Sequence, residues 1–508
     1  MTTDVFANAG GNVAGLLAAA ARNWPSGKAT GRTQAQHAPL SWAQLNRAVD
    51  ARAHDIAAAG VDRGERVATL LPTSVEFVVN FLAILRAGAV AVPLAPQLGI
   101  QGTRGLLEHS GARLLIAGET AIGTLPDQVR VIGPEWADAE VTPVDAAATG
   151  EDTAMLAYVA GVDSAPRAAV YSHRALLANA EQLRQVLPGS VAGHERVALG
   201  APLAHIYTLV AGLLPAVSAG WTVLLPTDPG ADTVLADCAA DRATMLVGSP
   251  AMYAELSALG DERLGDGLAT VSHLLCGPTP AHSRVHAAMR RATGLELAQC
   301  YGRAEVAGVL SSTLAAGGDE PGSVGAPLPG CELRLLDSAG GGEPVPDDPN
   351  DPGDVFSDDG SGTGLIAARG PSLSSGYWPS GEYGPDAGGW ARTGDVGYFD
   401  GAGQLHLVDR ASDLIVLDGF NVYPHEIEQV IGELPEVAEV AVVGVRADSG
   451  AESVHAVVVA VPGVAVTEER VLEQCAAKLP AYKVPAAVRF AGELPHTPTG
   501  MLRRNRVR

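Results

Sequence analysis

The side chains that could do chemistry are concentrated between residues 390 and 428 and in a few short segments before that stretch. Thr393-Gly394-Asp395 is a tight polar corner that leads into residues 404–408, which are apolar at every second position, as expected for a β-hairpin. Asp409-Arg410 closes this hairpin. The pattern therefore predicts a hairpin with a polar corner at one end and an Asp-Arg pair at the other.

A strand, a turn and a helix follow the hairpin. Residues 414–417 read as a short buried strand and Gly419-Phe420-Asn421 as a turn. Residues 424–428 place a proline and acids where they suit the first turn of a helix.

Two earlier segments are ambiguous when their residues are taken alone. Residues 158–173 read as an alanine-rich loop before a helix. His205 lies on an apolar stretch, where a single histidine is more often a packed core residue than part of a site.

The elements that position these residues follow from hydrophobic patterning. Residues 66–71 form a predicted buried strand, residues 74–87 a helix and residues 90–94 a second strand. This alternation is typical of a parallel sheet covered by helices. Near the end of the chain, two β-rich segments at 437–445 and 454–461 precede a helix at 471–479, which indicates a compact α+β domain.

Composition limits the classes of function. A chain of 508 residues with 47% hydrophobic residues is too long for one ordinary core and should form at least two domains. The net charge of -23 argues against binding to nucleic acid or to anionic membranes as a principal role, since a nucleic-acid-binding protein needs a basic face. We expect no nucleic-acid partner.

Three features of the sequence predict the cellular compartment: the N-terminal residues, the cysteines and one apolar run. The first eleven residues have no basic region followed by an apolar core, so no signal peptide is expected. The five cysteines have no paired CxxC spacing, which argues against a disulfide framework or a zinc site. The charge-free run at 206–226 is interrupted by glycines and a proline, so it is interpreted as a buried helix plus strand rather than an integral membrane segment. The prediction is a cytoplasmic protein.

Taken together, the motifs resemble the adenylate-forming superfamily of acyl-CoA ligases, luciferases and nonribosomal-peptide adenylation domains. Its members carry Thr-Gly-Asp, then Asp/Gly-Arg, then Gly-x-Asn-Val-x-Pro-x-Glu-Ile-Glu, in the order found from Thr393 to Glu428. The resemblance implies an α/β fold. A large N-terminal domain, residues 1–409, would have stacked, largely parallel sheets covered by helices plus a β-rich subdomain, and residues 410–508 would form a small mobile C-terminal α+β domain.

The resemblance is strongest to acyl-CoA ligases, and it implies their reaction. A small-molecule carboxylic acid attacks the α-phosphate of ATP to give acyl-adenylate and pyrophosphate, and a thiol then takes the acyl group. The implied cofactors are ATP or AMP, Mg²⁺ and coenzyme A, with a carrier-protein thiol as the alternative acceptor. The apolar surroundings of His205 favour a fatty, aromatic or other apolar acid over an amino acid.

The family's phosphate loop is eroded in this chain. A loop of that kind binds an anion because glycines let backbone amides converge on it while hydroxyls and a lysine supply contacts and charge. Gly161 remains, Ser164 takes the place of the second glycine, Arg167 replaces the lysine, and Asp163 brings a negative charge. We therefore expect weaker ATP binding.

Other family positions are kept on the adenosine side and changed on the phosphate side. The resemblance assigns His205 to the acyl carboxylate, Tyr301-Gly302 to adenine and Glu305 to magnesium, with Ala304 where the family has a phosphate-binding threonine. It assigns the ribose to Asp395 and Arg410, and the pantetheine arm to a loop containing Gly419, Phe420 and Asn421.

Met501 stands where the family has a catalytic lysine near the C-terminus. That lysine neutralises charge that develops during adenylation, and a thioether cannot do so. Three hypotheses remain open: a complete acyl-CoA ligase with an impaired adenylation step, an enzyme that forms thioesters from a preformed acyl-adenylate, and a noncatalytic relative that binds an acyl group or a nucleotide. Arg503 and Lys483 are the neighbouring cations that would have to replace the lysine.

Overall fold

The computed structural model describes most of the chain, with gaps at several loops. The described residues are 11–31, 38–118, 125–137, 141–144, 148, 150–159, 166–187, 194–226, 228, 230–316, 322–336, 362–410, 415–417, 420–422, 424–446, 452–495, 502 and 504–507. They fall into two compact units. The first comprises Met1–Gly161, Ala165–Glu332 and Ala368–Ala391, and the second comprises Val162–Ser164, Leu333–Ala367 and Arg392–Arg508.

One sheet of the first unit has six strands in the order β4-β3-β1-β2-β5-β6. Its strands are β1 (Arg66–Leu70), β2 (Val90–Leu94), β3 (Leu114–Ala117), β4 (Arg130–Ile132), β5 (Thr153–Val159) and β6 (Arg167–Ser172). All neighbours pair in parallel except β5 and β6, which are antiparallel. The predicted strand, helix and strand at 66–94 are confirmed, since β1 and β2 pair side by side and a helix at Val75–Arg86 connects them.

A second sheet of the first unit has seven strands in the order β13-β12-β11-β10-β9-β7-β8. They are β7 (Arg196–Leu199), β8 (Thr222–Leu224), β9 (Met245–Gly248), β10 (His273–Cys276), β11 (Leu297–Arg303), β12 (Ala307–Ser312) and β13 (Ala326–Pro327). Strands β7 to β11 are parallel, whereas β12 and β13 continue the sheet in antiparallel pairing. Strands β11 and β12 therefore form a hairpin, in which β11 is the last of the parallel strands.

Helices connect the strands of these two sheets. They are α1 (Gly15–Asn23), α2 (Trp42–Ala58), α3 (Val75–Arg86), α4 (Gly99–Ser110), α5 (His173–Val186), α6 (Ile206–Thr208), α7 (Leu214–Ala219), α8 (Ala231–Ala240), α9 (Pro250–Ser257), α10 (Asp261–Gly267), α11 (Ser283–Thr293) and α12 (Thr313–Ala316). A π-helical segment, Leu209–Leu213, joins α6 to α7, and a 3-10 turn, Pro96–Leu98, precedes α4. Several helices begin at serine caps, among them Ser41, whose hydroxyl accepts the Gln44 amide while the Gln44 side chain accepts the Ser41 amide.

The charge-free run at 206–226 consists of α6, the π segment, α7 and β8, and most of its residues are buried. The interpretation as a buried helix plus strand is therefore confirmed. Among the described helices, none has the length and apolar character needed to cross a membrane.

The second unit contains most of three smaller sheets, although Glu332, Ala368, Arg369 and Ala391 belong to the first unit. Its strands are β14 (Glu332–Leu336), β15 (Gly364–Arg369), β16 (Ala391–Phe399), β17 (Leu405–Arg410), β18 (Ile415–Leu417), β19 (Phe420–Val422), β20 (Val437–Arg446), β21 (Glu452–Ala460) and β22 (Ala487–Phe490). The orders are β14-β15-β16-β17, β18-β19 and β20-β21-β22. Two helices, α13 (Pro424–Gly432) and α14 (Glu468–Lys478), and two 3-10 turns, Ala481–Lys483 and Arg504–Arg506, complete it.

The C-terminal part of the chain has its own core of buried apolar residues. It lies where α13 and α14 pack on one face of the β20-β21-β22 sheet. Ile427, Ile431, Val442, Val458 and Val471 belong to that core. This arrangement agrees with the predicted α+β character of the C-terminal region. The compact unit that contains it begins at Arg392 and also includes 333–367, so a domain boundary between residues 409 and 410 stays a prediction.

Candidate active site

The hairpin of β11 and β12 carries the first group of predicted site residues. Tyr301, Gly302 and Arg303 are the last three residues of β11, and Glu305 lies in the turn that follows. The pairing register with β12 shifts between Tyr301 and Arg303. The regular strand geometry therefore ends just before the turn that holds Glu305.

Gly302 lets the two strands of the hairpin come close together. A Cβ atom at this position would lie 2.3 Å from the backbone oxygen of Gly308 on β12, closer than real Cβ contacts occur. The Gly302 amide also donates to the backbone oxygen of Pro278 at 3.0 Å. The glycine therefore lets the end of β11 lie against β12 and against the turn after β10.

Two side chains fix the backbone of the turn. The Tyr171 hydroxyl on β6 donates to the backbone oxygen of Ala304 at 2.8 Å, and the Ser374 hydroxyl donates to the backbone oxygen of Glu305 at 2.7 Å. The sequence analysis did not single out Tyr171 or Ser374, because each acts through a backbone carbonyl that is distant in sequence. Their effect is to fix the backbone from which the Glu305 side chain extends.

Glu305 forms an ion pair with Arg303, two residues earlier. Both side chains are largely buried, with 17% of Arg303 and 16% of Glu305 exposed. The sequence analysis assigned Glu305 to magnesium and gave Arg303 no role. The one available signal was the presence of a cation between Tyr301-Gly302 and Glu305, inside a motif to which the family resemblance assigns nucleotide binding.

His205 occupies the N-cap position of α6. Its Nδ1 accepts the backbone amide of Tyr207 at 3.2 Å, so the neutral ring carries its proton on Nε2. Burial lowers the pKa of His205 to about 4, and the nearby Glu305 carboxylate only partly offsets that effect. His205 is therefore a neutral hydrogen-bond donor at pH 7, close to Glu305, and not a resident cation.

The depressed pKa predicts how stability depends on pH. The unfolded chain binds a proton at His205 with a pKa near 6.5, whereas the folded protein does so only near pH 4, so acidification between these values favours unfolding. From pH 7.5 to pH 5 this histidine should lower the free energy of unfolding by about 2 kcal/mol. Urea unfolding of the wild type and His205→Gln at pH 7.5 and pH 5 measures the effect. The variant should lose less stability than the wild type on acidification, and equal losses would contradict the assignment.

Part of the predicted phosphate loop lies outside the described residues, including Gly161, Ser164 and Asp163. The ends of the loop are described: Val159 on β5 pairs with Arg167 on β6, so an antiparallel hairpin holds it. Arg167 is exposed, and its guanidinium carbon lies 5.8 Å from the centre of the Tyr377 ring. The cation that replaces the family's lysine is thus placed at the base of the loop.

Tyr301, the predicted adenine-stacking residue, is only 1% exposed. Adenine can reach its ring only if the groups that cover the ring move. Its role in stacking stays a prediction.

In the second unit, the predicted ribose-binding residues are cross-strand neighbours. Asp395 on β16 lies opposite Arg410 on β17, and the Asp395 amide donates to the Thr393 hydroxyl at 3.1 Å. The prediction of a tight corner at Thr393-Gly394-Asp395 was wrong, because these residues lie within β16. A positive φ of 77° at Gly394 explains the turn-like sequence inside a strand.

The remaining predicted residues belong to the second unit and are described only in part. Phe420 and Asn421 lie on β19, whereas Gly419 and Met501 lie outside the described residues, as does Arg503. Lys483 is buried, and its ammonium is 2.7 Å from Glu426. An ammonium that is already ion-paired is poorly suited to replace the family lysine.

The described residues do not fit a magnesium site. The Glu305 carboxylate accepts the Arg303 guanidinium, and the described part of the chain holds no cluster of three or more His, Cys, Asp and Glu side chains that could ligate a metal ion. Magnesium can be held by one carboxylate together with substrate phosphates, but that carboxylate must be available. The predicted magnesium role of Glu305 stays a prediction, and no chemical step below depends on it.

Comparison with known proteins agrees with the fold. Residues 17–378 match the AMP-binding enzyme family, and residues 426–501 match the AMP-binding enzyme C-terminal domain. A feruloyl-CoA synthase from Amycolatopsis sp is 34% identical over 479 residues, covering 92% of this chain and 93% of that protein. A long-chain-fatty-acid–CoA ligase from Escherichia coli O157:H7 is 30% identical over 505 residues, covering 88% and 86%. The crystal structure of ATP-bound MatB from Rhodopseudomonas palustris superposes with a TM-score of 0.83 at 27% identity, covering 97% of this chain and 98% of that one.

The fold and the family matches define an adenylate-forming enzyme that resembles acyl-CoA ligases. The chain belongs to the AMP-binding enzyme family. The resemblance to the adenylate-forming superfamily and the predicted α/β fold are therefore confirmed.

Proposed function

We propose that the enzyme converts a compact apolar carboxylic acid, with ATP, into an acyl-adenylate and then into a coenzyme A thioester. The observation that carries this proposal is the position of His205, a neutral donor beside Glu305 at the start of a buried apolar segment that runs through α6 and α7. The carboxylate of an acid substrate can hydrogen-bond to the imidazole there and lie near the nucleotide-binding residues, while the apolar part of the acid packs against apolar side chains.

The space next to the turn after β10 supports a compact acid. A Cβ atom at Gly277 would lie 2.7 Å from the Tyr207 ring, and one at Gly248 would lie 2.1 Å from the Met252 side chain. The family resemblance places these two glycines along the acyl tunnel. Because Tyr207 and Met252 already pack against them, we infer that the site prefers an aromatic or short acid to a long chain. A feruloyl-CoA synthase and an indoleacetate–CoA ligase among the relatives agree with this inference.

The first half-reaction joins the acid to AMP. A carboxylate oxygen of the acid attacks the α-phosphorus, the bond between that phosphorus and the β-phosphate bridging oxygen breaks, and pyrophosphate leaves. His205 would donate its Nε2 proton in a hydrogen bond to the acid's second carboxylate oxygen, which orients the first for attack. Arg167 would supply positive charge to the departing phosphates.

The second half-reaction makes the thioester. The coenzyme A sulfur attacks the acyl carbon, the bond from that carbon to the AMP oxygen breaks, and the thiol proton goes to solvent or to a base. His205 can hydrogen-bond to the same oxygen of the acyl group in this step, where negative charge develops on it. A neutral donor suits both steps, because it can hydrogen-bond to the acid without forming an ion pair that would make its carboxylate a weaker nucleophile.

The adenylation step is expected to be slow. Ala304 lacks the hydroxyl that would contact the α-phosphate, and Lys483 is paired with Glu426. The second candidate, thioester formation from a preformed acyl-adenylate, is favoured by the same two observations, because it needs neither contact.

The test measures each half-reaction separately. Pyrophosphate release is followed with ATP and a panel of acids that includes ferulate, indoleacetate, octanoate and palmitate. We expect kcat/KM for the best aromatic acid to exceed that for palmitate at least tenfold; a preference for palmitate would contradict the compact site.

The second assay supplies a preformed acyl-adenylate and coenzyme A. Thioester formation without pyrophosphate release in the first assay would support the second candidate. If neither assay gives product, the protein is a binding protein and the proposed catalysis is wrong.

A further inference from the structure

We propose that Arg303 binds the phosphate of the adenine nucleotide, taking over the role that a metal ion and a threonine hydroxyl would otherwise share at this turn. The inference rests on the proposed function only in placing a nucleotide at this site. It concerns a residue to which neither the family motif nor the sequence analysis gives a role. It is carried by the position of Arg303, its ion pair and the charges around it.

The position of Arg303 is fixed by its surroundings. It is the final residue of β11, directly after Tyr301-Gly302 and before Ala304. The hydrogen bonds from Tyr171 and Ser374 hold the backbone on its C-terminal side. The guanidinium therefore belongs to a rigid turn, which is the kind of support that a phosphate-binding cation requires.

The ion pair between Arg303 and Glu305 removes an electrostatic obstacle. An unpaired Glu305 carboxylate, largely buried, would repel an incoming phosphate. A metal ion would normally cancel that charge, but here the guanidinium does so. A guanidinium has five N–H donors in a planar fork, so it can hold the carboxylate with some and a phosphate with others.

A second cation, Arg167 on β6, lies near the same residues. Its guanidinium carbon is 5.8 Å from the centre of the Tyr377 ring. Burial and the Glu305 charge raise the pKa of Tyr377, and the charges of Arg167 and Arg303 oppose that rise. Because Arg303 cancels the charge of Glu305, Arg167 leaves one net positive charge beside the phenol, which suits an anionic oxygen.

The experiment compares AMP with adenosine, since only the former has a phosphate. Binding of each is measured by titration calorimetry in EDTA, with the wild type, Arg303→Met, Arg303→Lys and Arg263→Met. Arg263 is an exposed arginine of the same unit that pairs with Asp232, so it controls for loss of one surface charge pair.

The expected result is specific to the phosphate. Arg303→Met should weaken AMP binding at least about tenfold and leave adenosine binding within twofold, because hydrogen bonds to charged groups contribute that much or more. Arg303→Lys should retain part of the AMP affinity, and Arg263→Met all of it. Glu305→Gln should bind AMP in EDTA as well as the wild type or better, because it removes a negative charge.

Several results would overturn the inference. Equal losses for AMP and adenosine would show a structural role for Arg303, unchanged AMP binding would show no role, and a wild type that binds AMP in Mg²⁺ but not in EDTA would show that the metal is required. These readouts do not depend on ligase activity. A protein that fails both catalytic assays above but shows the AMP-specific loss would refute the proposed function and keep this inference.

Discussion

Met501→Lys is expected to raise the rate of pyrophosphate release at least tenfold. The substitution restores a cation at the position where the family resemblance places one that bridges the attacking carboxylate and the α-phosphate. Removal of a single preorganised donor from such a site typically lowers the rate by about 100- to 1000-fold. Adding the missing cation can therefore raise the rate of adenylation by a large factor. Pyrophosphate release with ATP and the best acid of the panel gives the measurement.

The matched control adds the same charge elsewhere in the second unit. Val464 is an exposed residue between β21 and α14, with 43% of its surface accessible, and Val464→Lys should leave the rate unchanged. An unchanged rate in Met501→Lys would mean that the loop around Asp163 is the limiting defect or that adenylation is not this protein's reaction. The assay with preformed acyl-adenylate separates these two explanations.

The state of Lys483 strengthens the first prediction. The sequence makes Lys483 and Arg503 the two candidates to replace the missing lysine. In the structure the Lys483 ammonium contacts Glu426 and lies 5.6 Å from the Tyr482 ring, which ties it to the second unit's own packing. Moving it would leave Glu426 without this partner and break a partly buried ion pair, which is costly.

Much of the fold could be predicted because its elements are consistent at the local level. Residues 66–94 alternate between an apolar run with β-branched residues, a helical pattern after Ser74, and a second apolar run after Gly88. Ser74 caps the helix by accepting the Phe77 amide, and Gly88 has a positive φ of 77°. Strand propensity, helix capping and turn residues all predict a strand, a helix and a second strand, which is the order that the parallel pairing of β1 and β2 requires.

The misplaced corner at Thr393 shows where such reasoning stops. A Thr-Gly-Asp sequence has the composition of a turn, and Gly394 does adopt a turn-like φ. Pairing of Asp395 with Arg410 on β17 nevertheless keeps the end of this segment within a strand. Long-range pairing of this kind overrides local preference, and it cannot be read from the segment itself.

The role of Arg303 could not be predicted for a related reason. Strand periodicity puts residues 301, 303 and 305 on one face, but only while the register is regular. The register shift between Tyr301 and Arg303 breaks that periodicity at the point where the predicted site begins. Residue types in the motif could be recognised from the sequence, whereas the contact between Arg303 and Glu305 required the geometry of the turn.

Gly302→Ala is expected to damage both stability and nucleotide binding, because Gly302 sits where two backbones meet. The added methyl carbon would lie 2.3 Å from the Gly308 oxygen, 2.7 Å from the Gly308 carbonyl carbon and 2.8 Å from the Val309 Cα. These are backbone atoms of the paired strand, so no side chain can rotate away and β12 must move. Overpacking of this kind typically costs about 1–3 kcal/mol of unfolding free energy.

The same displacement should weaken AMP binding at least tenfold, because it shifts Tyr301 and Arg303 relative to the turn that Tyr171 and Ser374 hold. Urea unfolding and calorimetric titration with AMP measure the two effects in one set of samples. Gly105→Ala is the control: Gly105 lies in α4 with no atom within 4 Å of the added carbon, and alanine is the better helix former by about 1 kcal/mol. It should bind AMP normally and unfold at a higher urea concentration than the wild type. If Gly302→Ala also binds AMP normally, the close contact with β12 does not position the nucleotide site, and the roles of Tyr301 and Arg303 would have to be sought in another arrangement of the hairpin.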